Sequence, residues 1–240
     1  MTYVYVFVGI ILLFVLLKIA QKIRRIYSQE IPLNILQNYD EYWERGHKGS
    51  YNRGAFLASY IEPGSTVLEV GCGDGALLKG IKDRIEITEL GVDISQVAVN
   101  RAIEKGLYAS LCDVTKDPLP GIYDYIIISE VLEHIPIPEN VMLSLQNSFS
   151  KHMLITIPNA GHYQHRTRLL FGKFPIVMII YFIGEHLRFW TVSDFKEWAR
   201  RIGFKTEKVA SFSGTWRIHR YLPSLFSAQV LYILSKAKSN

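Results

Sequence analysis

The chain has 240 residues, enough for one full-sized domain and an accessory segment, since single domains commonly span about 100–200 residues. Hydrophobic residues make up 49% and charged residues 20% of the chain, which excludes an intrinsically disordered protein. The net charge is +5, but residues 1–25 hold four cations and no acidic residue, leaving 23 of the 27 cations against 22 acidic residues. The basic character is therefore local, and we expect no nucleic-acid partner.

The N-terminal segment has the length and composition of a membrane anchor. Residues 1–17 carry no charge, and a helix over residues 1–20 would be about 30 Å long, which matches the hydrocarbon core of a bilayer. Tyrosines lie at its start and the cations follow its end, which predicts a transmembrane helix with the rest of the chain in the cytoplasm. A cleaved signal peptide would carry its cations before the apolar run. The chain has two cysteines, Cys72 and Cys112, too few for the disulfide framework of a secreted protein, which fits the reducing environment of the cytoplasm.

After a predicted linker and short helix over residues 21–50, one α/β domain is expected over residues 51–240. Strand and helix patterns alternate from Thr66 onward, which indicates a parallel sheet. A capping-box pattern at Thr191–Asp194 begins a later helix that should end at Gly203. Strands are predicted at Thr66–Val70, Glu89–Asp93, Tyr108–Cys112, Tyr123–Ser129, His152–Ile157 and Phe226–Leu234, with helices near Ala76–Arg84, Gln96–Lys105 and Glu139–Phe149.

A glycine-rich turn follows the first predicted strand, where Val67–Gly75 reads VLEVGCGDG. Glycines allow positive φ angles and let a ligand approach the backbone, so a strand, glycine turn and helix together form a cradle for a nucleotide. Asp93 ends the next strand, about 20 residues further on, and is placed to bind a ribose diol. The spacing of Gly71, Gly73 and Ala76 also fits a dinucleotide site, so that alternative stays open here.

Acidic residues near this turn favour a different ligand. Glu69 lies two residues before Gly71, where a carboxylate would attract a cationic amine and repel a pyrophosphate. Asp113 follows the third predicted strand. The fourth strand runs into a polar segment that contains Glu130 and His134, within the stretch YDYIIISEVLEHI.

Together the stretches VLEVGCGDG, GVDIS, CDV and YDYIIISEVLEH resemble the class I S-adenosylmethionine-dependent methyltransferases in order and spacing. The resemblance implies a Rossmann-like, seven-stranded sheet with helices on both faces. It also implies S-adenosylmethionine as cofactor. In that pattern the methionine moiety contacts Glu69, Gly71 and Gly73, the ribose contacts Asp93, and the adenine amine contacts Asp113, with Ile94, Val114 and Glu130 also facing the cofactor.

The later sequence is similar to the MetW-type branch of these enzymes, named for methionine biosynthesis. The similarity lies in Leu154–Pro175, Glu185–Phe204 and the closing segment Leu225–Leu234. An insert or cap is expected at about residues 158–190. The apolar stretch Phe174–Ile183 within it is too short to cross a bilayer.

Candidate chemistry comes from the histidines. His134 is the predicted general base, and His162 and His186 are the other candidates. His162 and His165 are spaced like metal ligands, but no nearby residue completes a site, so no metal is predicted.

Two features favour a hydrophobic or lipid-like small-molecule acceptor. One is the anchor, and the other is the apolar stretch of the insert, which follows a basic patch at Arg166, Arg168 and Lys173.

Two further functions stay open. The first is a non-catalytic module with a methyltransferase fold that recruits a partner enzyme, and the second, less favoured because of Glu69, is a dinucleotide-dependent oxidoreductase.

Overall fold

The computed structural model of the chain describes residues 12–21, 24, 38–119, 121–174, 186–215 and 217–237. Residues 12–21 are helical and exposed. Across the described ranges, no helix is both long and apolar enough to cross a membrane. Residues 1–11, more than half of the predicted anchor, lie outside these ranges, as does most of the apolar stretch of the insert.

The described residues form one sheet of seven strands in the order β3-β2-β1-β4-β5-β7-β6. Strands β1 to β5 pair in parallel, while β7 runs antiparallel to both β5 and β6. The predicted α/β class and the seven-stranded sheet are thereby confirmed. The strands are β1 (Ser65–Val70), β2 (Ile87–Asp93), β3 (Ala109–Leu111), β4 (Tyr123–Ser129), β5 (Phe149–Pro158), β6 (Phe204–Gly214) and β7 (Ser227–Lys236).

Helices cover both faces of this sheet. Residues alternate along β4, so that Ile126 and Ile128 belong to one apolar cluster and Ile127 to the other. One cluster includes Phe195 and the other includes Leu78, both from helices. From residue 38 onward, the described helices are α1 (Tyr39–Glu44), α2 (Tyr51–Leu57), α3 (Ala76–Lys82), α4 (Gln96–Glu104), α5 (Pro138–Ser144), α6 (Tyr163–Leu170), α7 (Val192–Arg201) and α8 (Pro223–Phe226), with 3₁₀ turns at Ala58–Tyr60, Leu132–His134 and Arg217–Arg220.

The capping box predicted at the start of α7 is present. The Thr191 side chain accepts a hydrogen bond from the Asp194 backbone, and the Asp194 carboxylate accepts one from the Thr191 backbone. This reciprocal pair satisfies two amide groups that a helix N-terminus otherwise leaves without partners.

Several predicted boundaries were wrong. The helix expected to reach Phe149 ends at Ser144, because Phe149 begins β5 and buries its ring against Phe204. The third strand is confined to Ala109–Leu111 at the sheet edge. Strand β6 was not predicted, since most of its residues are half-buried or exposed and lack an apolar alternation; its pairing with β7 holds it in the sheet.

Candidate active site

A cavity of about 510 Å³ opens where the parallel strands β1 to β4 end. Cavities of this size are typical of small-molecule sites, and the carboxyl edge of a parallel sheet is where they commonly form. The lining includes every residue predicted to contact the cofactor, together with the predicted general base His134: Glu69, Gly71, Gly73, Asp93, Ile94, Asp113, Val114, Glu130 and His134.

The glycine turn is tightly enclosed. Gly71 and Gly73 have φ angles of +71° and +55°. A Cβ atom at Gly71 would lie 2.4 Å from a methyl carbon of Val131, and one at Gly73 would lie 2.4 Å from the Trp43 ring. Both positions therefore require glycine, for backbone conformation and for space.

Asp93 braces this turn from the end of β2. One carboxylate oxygen accepts a hydrogen bond from the Gly73 amide at 2.8 Å, and the other accepts one from the Ser95 amide at 2.9 Å. Burial raises the pKa of Asp93, and these amide donors oppose that shift. Each carboxylate oxygen keeps a further lone pair, so the side chain can hold the turn and still accept from a diol.

Glu69 and Arg53 are two ionisable residues in the cavity lining. Glu69 is 2% exposed, and burial raises its pKa well above the usual value, while Arg53 acts in the opposite direction. Arg53 donates to the Ser129 hydroxyl at 3.0 Å. Among the described residues, Glu69 Oε2 and Arg53 Nε have no hydrogen-bond partner. A buried acceptor and a buried donor without partners suit a ligand with both an ammonium and a carboxylate, as in an amino acid.

Glu130 adopts a left-handed conformation, with φ of +57°, directly after β4. Its carboxylate accepts a hydrogen bond from the Gln229 side chain at 2.7 Å and lies 4.0 Å from the Arg53 guanidinium. Sequence reasoning missed both Arg53 and Gln229. No local pattern singles them out, because they reach the cavity from α2 and β7.

Asp113 lies in a local turn at the far side of the cavity. It pairs with Lys116 and accepts hydrogen bonds from the hydroxyl and backbone amide of Thr115, and these contacts, that of Lys116 above all, lower its pKa. Its contact with adenine stays a prediction. Ile94 and Val114 line the same cavity and give it apolar wall.

Helix α1 closes part of the cavity, which the sequence did not predict. The Asp40 carboxylate accepts from the Ser95 hydroxyl at 2.5 Å and from the Val97 amide at 3.2 Å. Arg101 donates to the Trp43 carbonyl at 2.6 Å. These contacts hold Tyr39, Tyr42 and Trp43 in the lining.

The candidate bases separate into two places. His134 and His186 both line the cavity, with ring centroids 4.8 Å apart. Burial lowers the pKa of His186 to about 3, with a smaller contribution from His134. His162 and His165 lie outside the lining. His162 caps the N-terminus of α6 and His165 lies within that helix, where burial lowers the pKa of His165 to about 4.

The predicted basic patch is partly wrong. Arg168 is buried rather than solvated, and its Nε donates to the Phe174 carbonyl at 2.6 Å. Burial lowers its pKa. Its guanidinium therefore holds the chain that follows α6 and does not face solvent.

Comparisons with known proteins agree with this fold. The family model of MetW, "Methionine biosynthesis protein MetW", matches residues 53–234. The chain is 34% identical over 86 residues to the ubiquinone biosynthesis O-methyltransferase of Pectobacterium carotovorum subsp. carotovorum strain PC1, covering 33% of this chain and 36% of that protein. The namesake from Dechloromonas aromatica strain RCB is 24% identical over 161 residues, covering 62% and 68% of the two chains.

Among solved structures, a Thermotoga maritima S-adenosylmethionine-dependent methyltransferase, described as a possible histamine N-methyltransferase, is 17% identical. Its TM-score is 0.60, and the match covers 82% of this chain and 94% of that one. At this identity the likeness shows the fold alone. Over the first of the two O-methyltransferases the chain spans little more than a third of the relative's length.

Proposed function

The chain belongs to the MetW family of class I S-adenosylmethionine-dependent methyltransferases, and on that premise we propose that it methylates an oxygen atom of a hydrophobic, lipid-like small molecule. The oxygen is suggested by the relatives, which are named as O-methyltransferases of ubiquinone biosynthesis. The hydrophobic character is suggested by this chain's own surface and N-terminal segment.

One observation carries the cofactor assignment: the enclosed glycine turn lies beside the buried Glu69 and the partly buried Arg53. Each of these two side chains has a buried polar atom without a hydrogen-bond partner, and together they complement an amino acid. S-adenosylmethionine contains such a moiety and, when bound, supplies a methyl group on a positively charged sulfur. A buried carboxylate at Glu69 would repel a pyrophosphate, which argues against the dinucleotide alternative. Asp93 would accept from the ribose, and α1 would exclude water from the cavity.

An apolar surface next to the histidines supports the proposed acceptor class. Leu170 is 80% exposed, and Phe171, Phe174 and Phe189 are each more than 40% exposed. The rings of Phe174 and Phe189 are 5.9 Å apart, and the Phe189 ring lies 6.3 Å from that of His186. An exposed apolar surface of this kind typically marks an interaction site. Here Phe189 brings it next to His186, which lines the cavity.

The acceptor class is tested with methyl-labelled S-adenosylmethionine and two phenols that differ only in a polyprenyl tail, the tailed one embedded in vesicles. We expect the full-length protein to methylate the tailed phenol at least about tenfold faster, since the tail adds apolar contact area. Equal rates would overturn the lipid-like acceptor. Cofactor binding without any transfer, here or to a membrane extract, would favour the alternative of a non-catalytic module that recruits a partner enzyme.

The second expectation concerns the membrane. Deleting residues 1–25 should release a folded protein that still binds S-adenosylmethionine, whereas the full-length protein should stay in the membrane fraction, because the deleted run has the length of a spanning helix. The measurement is extraction with alkaline carbonate, with the truncated protein as its control. Extraction of the full-length protein would contradict the anchor, and protease access to the domain on intact cells would contradict its cytoplasmic location.

A further inference from the structure

Three potential metal ligands meet at one end of the cavity. Glu133 and His134 lie on the 3₁₀ turn after β4, and His186 lies 52 residues further along the chain than His134. One ligand atom from each of the three lies within 4.8 Å of the other two, the one such group of three found in the part of the chain that the structure describes. Glu133 Oε1 lies 4.0 Å from His134 Nε2.

Backbone hydrogen bonds hold the third residue against the other two. The amides of Leu187 and Arg188 both donate to the Glu133 carbonyl, at 2.7 and 3.1 Å. The Arg188 side chain also donates to the Pro136 carbonyl. The segment that carries His186 is thereby attached to the turn that carries Glu133, so that the arrangement does not depend on flexible side chains alone.

We propose that Glu133, His134 and His186 bind one divalent transition-metal ion. One carboxylate oxygen and two imidazole nitrogens suit zinc and its neighbours, whereas magnesium and calcium prefer all-oxygen ligands. Three protein ligands leave a coordination position open, as in catalytic zinc sites.

The role of the ion rests on the proposed function. Glu133, His134 and His186 line the same cavity as Gly71 and Asp93, so the open position would be available to an oxygen of the acceptor. An ion there would orient that oxygen and favour its deprotonated form. His134 is then a metal ligand rather than the general base that the sequence predicted.

The test uses the full-length protein, stripped of metal with a chelator, and Co²⁺ as the probe. Imidazole and carboxylate ligation in a site of low coordination number should give visible absorption much stronger than that of aqueous Co²⁺, saturating at about one ion per chain. Zn²⁺ should displace Co²⁺. The variants His186→Asn and Glu133→Gln should each weaken Co²⁺ binding by at least about tenfold.

The matched control is His152→Asn, which removes a histidine that stacks on Tyr125 and is not in the cavity lining. It should leave Co²⁺ binding unchanged. Absence of the absorption in the unmodified protein, or wild-type Co²⁺ affinity in a folded His186→Asn variant, overturns the site. Should the variants fail to fold in a thermal melt, the absorption of the unmodified protein decides alone. Titration of the unmodified protein with S-adenosylmethionine distinguishes the metal site from the proposed function. Cofactor binding without metal binding would contradict only the metal site, whereas absence of cofactor binding would contradict the proposed function.

Discussion

The Asp93→Ala variant is expected to bind S-adenosylmethionine about a hundredfold more weakly than the unmodified protein, as measured by calorimetric titration. The carboxylate has two tasks that alanine cannot perform. It accepts from the amides of Gly73 and Ser95, which fixes the glycine turn, and it provides the acceptors that a ribose diol requires. Losing charge-assisted hydrogen bonds of both kinds gives an effect larger than either loss alone.

Asp124→Ala is the matched control. Asp124 also braces a strand end, accepting from the Thr66 amide at 3.0 Å and from the Ser150 hydroxyl at 2.9 Å, but it is not part of the cavity lining. This variant should lower the melting temperature and leave cofactor affinity unchanged. Unaltered affinity in Asp93→Ala, or an equal loss in both variants, would show that Asp93 only stabilises the fold.

Glu69→Gln should have opposite effects on stability and on binding. Because burial raises the pKa of Glu69, the folded state holds the proton more tightly than the unfolded state does. The free energy of unfolding therefore falls as the pH rises from the ordinary glutamate pKa of 4.5 through the raised pKa of the folded state, and it stays low at higher pH. Glutamine does not ionise, so the variant is free of this fall in the free energy of unfolding. At about pH 8 the cofactor-free variant should therefore melt at a higher temperature than the unmodified protein. The difference should shrink toward about pH 4. Its cofactor affinity should fall by at least about tenfold, since the ammonium loses its counter-charge.

Glu89→Gln provides the comparison for that experiment. Glu89 is 4% exposed on the neighbouring strand β2, but it pairs with Lys82 at 2.6 Å. Removing its charge leaves the lysine without a partner, so this variant should not gain stability at about pH 8. The measurements are thermal melts across the pH range and one titration per variant. A lower melting temperature for cofactor-free Glu69→Gln at that pH would show that the carboxylate has a stabilising partner.

The parts of the site that could be predicted are those in which neighbouring residues in sequence are also neighbours in space. A buried strand, a glycine turn and a helix follow one another directly, so Glu69, Gly71 and Gly73 could be assigned from their order. Asp93 and Asp113 could be placed because parallel strands end at the same edge. These residues do share one cavity.

The parts that could not be predicted depend on contacts between distant segments. Arg53 and Gln229 both contact Glu130, although they lie near the start and the end of the domain's sequence. No pattern in the neighbouring sequence marks them as cavity residues. His186 meets Glu133 through backbone hydrogen bonds that a sequence pattern does not encode. Strand β6 was missed for a related reason, since its pairing with β7 and not its apolar content keeps it in the sheet.

The position of β7 has a consequence for how the protein matures during synthesis. This strand is made after β6 but pairs between β5 and β6, and it carries the Gln229 side chain that holds Glu130. Strands β1 to β5 can leave the ribosome and begin to pair, yet the wall of the cavity that contains Glu130 is incomplete until residues 227–236 have emerged. A polypeptide whose synthesis stops before β7 therefore lacks both the pairing of β6 with β7 and the complete cavity. Nearly the whole described domain must be synthesised before the cavity can form in full.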